Sequence, residues 1–178
     1  MNNKKILVIH PADPSTDMLC DIYRDINATV IRQKISKSRL KQLMVDADRI
    51  IMLGHGTHTG MGFVERGFIT PIIDASLVYI LREKKDSVFI WCNADEFVKK
   101  YKLHGFSTGM FISETEEAYL YNVKATVDEI YESNARFSRV VRNNLHRNSD
   151  DLCAIVKEDY DLPSDVAKFN NELMYSFK

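Results

Sequence analysis

Short apolar runs alternate with amphipathic stretches along this chain, and that alternation is the first clue to its architecture. Lys5–His10 (KILVIH) is a continuous apolar run, ended by Pro11-Ala12-Asp13-Pro14. Runs without polar alternation suit strands buried on both faces, as in a parallel sheet. Asp13 is placed to cap a following helix that has Pro14 in its first turn. Met18, Leu19, Ile22, Tyr23 and Ile26 recur at helical spacing and give that helix one apolar face. Ala28–Arg32 (ATVIR) is β-branched and reads as a second strand. Ser36 or Ser38 begins a second helix, with Leu40, Leu43, Met44 and Ala47 facing inward. Asp48–Leu53 (DRIIML) is a third strand, running straight into a loop that holds Gly54, Gly56, Gly60 and Gly62.

Thr70 followed by Pro71 predicts the next helix, which ends near Lys84 and Lys85. Ser87–Trp91 (SVFIW) is a fourth strand that stops at Cys92, and Asn93 with Glu96 resembles a capping box for the helix beyond it. Phe106–Ser113 holds a fifth strand centred on Met110-Phe111-Ile112. From about 116 to 145 the spacing is helical, with Tyr121, Val127, Ile130, Phe137, Val141 and Leu145 expected inward. Leu152–Val156 fits a short strand or a helical turn. Ser164 caps a last helix carrying Val166, Phe169, Leu173 and Met174. This order predicts an α/β fold, a three-layer sandwich with a mainly parallel sheet and helices on both faces. It is read as one domain over 1–178, with a helical C-terminal portion from about 116.

Composition adds exclusions. With 24 Lys plus Arg against 25 Asp plus Glu, the net charge is −1. No basic excess points to nucleic acid or to an anionic membrane. Hydrophobic residues make up 45% of the chain, which suits a folded core rather than disorder. The three cysteines, Cys20, Cys92 and Cys153, are too few and too scattered for a disulfide framework. They read as free thiols in a reducing compartment, the cytoplasm. The apolar stretch Ile6–Ile9 is too short for a signal peptide, and no segment has the length of a membrane span.

Functional groups in an open parallel sheet gather at the carboxyl ends of its strands. His55 lies just beyond the third strand and Cys92 at the end of the fourth, one crossover apart. Sequential strands are often neighbours, which brings the two side chains to one sheet edge. Cys92 precedes a predicted helix start, where the positive end of the helix dipole favours a thiolate. An imidazole beside it adds to that effect and moves protons. Gly54 and Gly56 leave room for a substrate backbone, and their amides, with one near Cys92, are candidate oxyanion donors. The expectation is a Cys92 nucleophile with His55 as general acid and base, acting by acyl transfer through a thioester, with no metal and no cofactor.

Two segments carry a family resemblance: Ile50-Ile51-Met52-Leu53-Gly54-His55-Gly56 and Val88-Phe89-Ile90-Trp91-Cys92. An apolar strand ending in His-Gly, followed by a later apolar strand ending in Cys, resembles the clan CD cysteine peptidases, among them caspases, gingipains and clostripain. The resemblance spans about residues 5–118 in the order of its elements. It implies a caspase-like fold and a peptide or protein substrate. It also implies that the loop after the next strand, Ser113-Glu114-Thr115-Glu116-Glu117, lines the pocket for the residue before the cut. Glu114 there would favour a basic side chain. The chain departs from many members in having bulky Trp91 before the cysteine and Asn93-Ala94-Asp95 after it.

Other readings stay open. A non-catalytic caspase-like or flavodoxin-like module, binding a partner or small ligand at the same edge, would show the same elements. His55, His58 and Cys92 suggest a metal, but no fourth ligand is evident by spacing. His58 otherwise lines the loop. The glycine loop lacks the Lys-Ser/Thr ending of a phosphate-binding loop. Cys20 and Cys153 read as packing residues, His10 as a capping or loop residue, and the arginines near 136–147 as a solvated helix face. The oligomeric state is left open.

Overall fold

The computed structural model describes residues 4–178. Three strands open the chain: β1 (Ile6–Ile9), β2 (Ala28–Ile31) and β3 (Arg49–Leu53). A 3-10 helix, Pro14–Tyr23, joins the first pair, and α1 (Lys37–Asp46) joins the second. Next comes a small antiparallel meander, β4 (His55–Thr57), β5 (Gly60–Glu65) and β6 (Phe68–Ile73), followed by a 3-10 turn and α2 (Val78–Leu81). β7 (Ser87–Ile90), α3 (Ala94–Tyr101) and β8 (Gly105–Thr108) continue the parallel pattern. Four helices follow, α4 (Thr115–Leu120), α5 (Val127–Asn144), α6 (Ser149–Asp159) and α7 (Asp165–Glu172), and the chain closes with β9 (Met174–Phe177).

The central sheet has six strands in the order β2-β1-β3-β7-β8-β9. The first five run parallel, and β9 pairs antiparallel with β8. The architecture is therefore α/β with a mixed, mostly parallel sheet. Strand side chains alternate between two cores, as the period of two demands. Leu7, Ile9, Ile50, Met52, Phe89 and Trp91 pack against α1, α2 and α3 on one face. Val8, Ile51, Leu53, Val88, Ile90 and Phe106 pack against the 3-10 helix, α5, α6 and α7 on the other. Strands β1, β3 and β7 are buried on both faces, which is why they lack polar alternation.

The order places the topological switch between β1 and β3. The chain leaves β1 outward to β2, then crosses back to β3 on the opposite side. In such sheets the crevice outside the strand ends at this point is the usual ligand site. The carboxyl ends of β1, β3 and β7 meet here, and each releases a chemistry-bearing segment: Asp13-Pro14-Ser15, His55 and Cys92.

Several elements differ from the sequence expectation. Asp13 caps through Ser15 N–H at 2.9 Å as expected, yet the helix it starts is 3-10 throughout rather than α. The predicted helix from Thr70 does not form. Thr70 and Pro71 lie in β6, paired with Phe63 and Gly62 of β5. The deciding residues are Arg66 and Gly67, whose φ values of 52° and 81° suit a two-residue type I′ hairpin turn. Pro71 is tolerated because β6 is an edge strand with an irregular register opposite Met61 and Gly62. The glycine-rich stretch is accordingly strand and turn rather than open loop.

The fifth strand sits earlier than expected, and Met110-Phe111-Ile112 is irregular chain after β8. The continuous helix over 116–145 is two helices, parted where Asn122 takes a left-handed backbone. Two of its expected inward residues are consequently not core: Tyr121 is 47% exposed and Val127 is 69% exposed, while Ile130, Phe137, Val141 and Leu145 are buried as expected. Leu152–Val156 is helical. Met174 ends no helix; it begins β9. Among the described residues no helix is long and apolar enough to cross a membrane.

Candidate functional site

Gly54 sets the position of His55. Its φ of +136° is a backbone that L side chains rarely adopt, and it turns the chain from β3 into the meander. Its N–H donates to the carbonyl of Ile90 at 3.0 Å, one step beyond the β3–β7 ladder. That amide is spent on the sheet, so it is not the oxyanion donor that the sequence suggested. His55 opens β4 and leans back toward the end of β1. Its Nε2 lies 2.7 Å from Ser15 Oγ and 3.7 Å from Asp13 Oδ1. Ser15 Oγ in turn donates to Asp13 Oδ1 at 2.7 Å. Burial opposes ionisation of Asp13, but the Ser15 hydrogen bonds and the nearby imidazole prevail and hold its carboxyl below the usual range.

Cys92 follows β7 after Trp91. Its Sγ contacts the carbonyl oxygen of Phe111 at 3.8 Å. Burial, with a further push from the Glu117 carboxylate, raises the thiol from 9.0 to about 11. The expected helix-start activation is therefore overturned in this conformation. Asn93 sits in the left-handed region at φ 63° and its side chain makes no cap bond; α3 starts only at Ala94. Desolvation outweighs the dipole, and the thiol is protonated at neutral pH.

His55 and Cys92 line one cavity, of about 30 Å³, without a hydrogen bond between them, and Thr16 and Leu19 from the 3-10 helix and Phe111 and Glu117 from the segment after β8 wall it. It has room for about one or two waters. The remaining predicted site residues fall elsewhere. His58 is exposed at the turn between β4 and β5 and does not reach the cavity. Gly56 makes no room for substrate. A β-carbon there would stand 2.2 Å from Trp91 Cδ1 and 2.6 Å from the Gly60 carbonyl, so its missing side chain accommodates the indole. Trp91 Nε1 donates to the Thr57 carbonyl at 3.0 Å and pins the same strand. Bulky Trp91 and Gly56 thus fit each other.

Glu114 is exposed, and the acid that lines the cavity is Glu117. Glu117 Oε2 accepts from the N–H of Ser113 at 2.7 Å and of Glu114 at 3.2 Å, an arrangement that draws it inward at the start of α4. Burial and the neighbouring Glu117 and Glu116 raise the Glu114 carboxyl, with His55 pulling the other way. Among the described residues no three His, Cys, Asp or Glu side chains cluster as a metal site.

Ser15 is the site residue that sequence reasoning missed, whereas Asp13 was read as the helix cap and Glu117 within the loop lining the pocket. The signal for Ser15 was present: the Asp-Pro-Ser cap follows a buried strand at the same sheet edge. Nearby, His10 lies in the loop just after β1, as expected, but is fully buried, with Nδ1 3.0 Å from Tyr23 Oη and Nε2 3.2 Å from Thr16 Oγ1. Cys20, expected to pack, is half-exposed and accepts hydrogen bonds from Tyr23 Oη and from Arg32. Cys153 is buried as expected. Arg142 is not a solvated residue, since it pairs with Asp21 at 2.8 Å and ties α5 to the 3-10 helix.

In comparisons with known proteins, no family model and no curated protein matches the chain.

Proposed function

We propose that the chain is a cysteine hydrolase, a peptidase of the caspase-like kind, with Cys92 as nucleophile and His55 as general acid and base. One observation carries this reading: the two side chains line a single cavity at the carboxyl ends of adjacent strands, beside the sheet's switch point. In the reaction His55 takes the thiol proton as sulfur attacks the peptide carbonyl carbon. The resulting oxyanion collapses to a thioester as the amine leaves with that proton. Water, deprotonated by His55, then adds to the thioester and releases the acid and the free thiol.

In this conformation the site is at rest. About 30 Å³ admits no peptide, and a thiol near 11 is a poor nucleophile at neutral pH. Substrate therefore has to displace the wall formed by Phe111–Glu117, which also brings Glu117 and Glu114 alongside the residue before the cut. Two carboxylates there favour Lys or Arg by charge pairing. The burial of the thiol equally favours a second reading, a module of the same shape that binds a partner at this edge and cleaves nothing.

The test is to incubate the protein with a mixture of denatured polypeptides and sequence the new N-termini by mass spectrometry. Cuts after basic residues that vanish in both Cys92→Ala and His55→Ala support the hydrolase. No cuts under any condition, or cuts indifferent to both substitutions, favour the binding module.

A further inference from the structure

We propose that Asp13 and Ser15 form a positioning relay that fixes His55 in the tautomer with Nε2 protonated and Nδ1 bare. The Ser15 hydroxyl has one hydrogen and gives it to Asp13 Oδ1 at 2.7 Å. Its oxygen then offers His55 only lone pairs, so at 2.7 Å the imidazole must be the donor, through Nε2–H. A neutral imidazole carries one proton, so Nδ1 is left unprotonated, and it has no hydrogen-bond partner among the described residues.

The relay is anchored at its far end. Asp13 Oδ1 also accepts the backbone N–H of Ser15 at 2.9 Å, which fixes the carboxylate through the helix cap. When His55 takes up a second proton, the carboxylate 3.7 Å from Nε2 faces the new charge directly. The relay crosses the switch point, from the end of β1 to the end of β3. It thus makes the first strand's loop part of the site. The other ionisable groups around the imidazole are Glu114, Glu117 and the Cys92 thiol.

The inference rests on reading His55 as the proton-transfer group, yet its first test needs no turnover. Nitrogen-15 NMR of the histidine-labelled protein near neutral pH reads the tautomer, with His55→Gln assigning the signal. The wild type is expected to show protonated Nε2 and bare Nδ1. Ser15→Ala is expected to mix the two tautomers, and Ser15→Thr, which keeps the hydroxyl, to restore the wild-type pattern. A wild-type Nδ1–H tautomer, or a Ser15→Ala spectrum identical to wild type, overturns the relay. If peptide cleavage is found, Ser15→Ala should lower kcat about tenfold with little change in KM. A confirmed tautomer without any cleavage would leave the relay standing and overturn the hydrolase, so the two failures are separable.

Discussion

Gly56 and Trp91 constrain each other as single residues. The indole occupies the space a β-carbon would need, and its N–H holds the strand that carries the glycine. Gly56→Ala should cost about 2 kcal/mol or more in urea unfolding, because the clash involves an aromatic ring and a backbone carbonyl. An unchanged midpoint would contradict that packing. His10 offers a second residue-scale check. Burial, and then the Arg32 charge, lower it from 6.5 to about 4. The unfolded chain therefore takes up this proton first. The stability it contributes is complete above pH 6.5 and is lost as pH falls toward 4, on the order of 3 kcal/mol. His10→Gln should flatten the stability-versus-pH curve in that window; an unaltered slope would refute the assignment. Cys92 behaves oppositely in chemistry. Its alkylation by iodoacetamide should be slow at pH 7 and should climb steadily toward pH 11. Fast labelling of Cys92 in the resting protein at neutral pH would show that the site is open.

At the scale of elements, the strands were the readable part. Val8, Ile51, Phe89 and their neighbours form uninterrupted apolar runs because both sheet faces are covered, and such runs leave little choice of structure. His55 and Cys92 were legible for the same reason, since each directly follows one of these runs. The meander was not legible. Thr70-Pro71 is a good helix start in isolation, and only the pairing of β5 with β6 overrides it. Gly67 decides between the two by sign. In the hairpin its φ of 81° makes Gly67→Ala destabilising by about 1 kcal/mol, whereas in a helix or disordered lead-in the same change would stabilise. Chemical denaturation of Gly67→Ala distinguishes them. Nor could sequence reveal the raised thiol. Helix-dipole reasoning was locally sound, but desolvation of Cys92 depends on Phe111 and Glu117, which arrive from beyond the next strand.

At the scale of the whole molecule, the C-terminal helices hold the wall of the cavity. Asn170 of α7 accepts the Ile112 N–H at 2.7 Å and donates to the Ile112 carbonyl at 2.9 Å, and it is itself fully buried. This clasp fixes the segment that closes over Cys92, and no local pattern in the sequence announces it. Asn170→Ala should cost about 2–3 kcal/mol, since it leaves two buried backbone groups unpaired. It should also speed both amide exchange at Ile112 and alkylation of Cys92. Loss of stability without faster labelling would separate the clasp from the site. An acyl group on the Cys92 sulfur is the signature that a hydrolase must leave. The protein is mixed with an activated ester of a short peptide ending in Lys or Arg, quenched in acid, and weighed intact before peptide mapping. The account predicts one acyl group, attached to Cys92, removed by hydroxylamine and absent in His55→Ala. No adduct, or acylation spread over Cys20 and Cys153 regardless of His55, would contradict it.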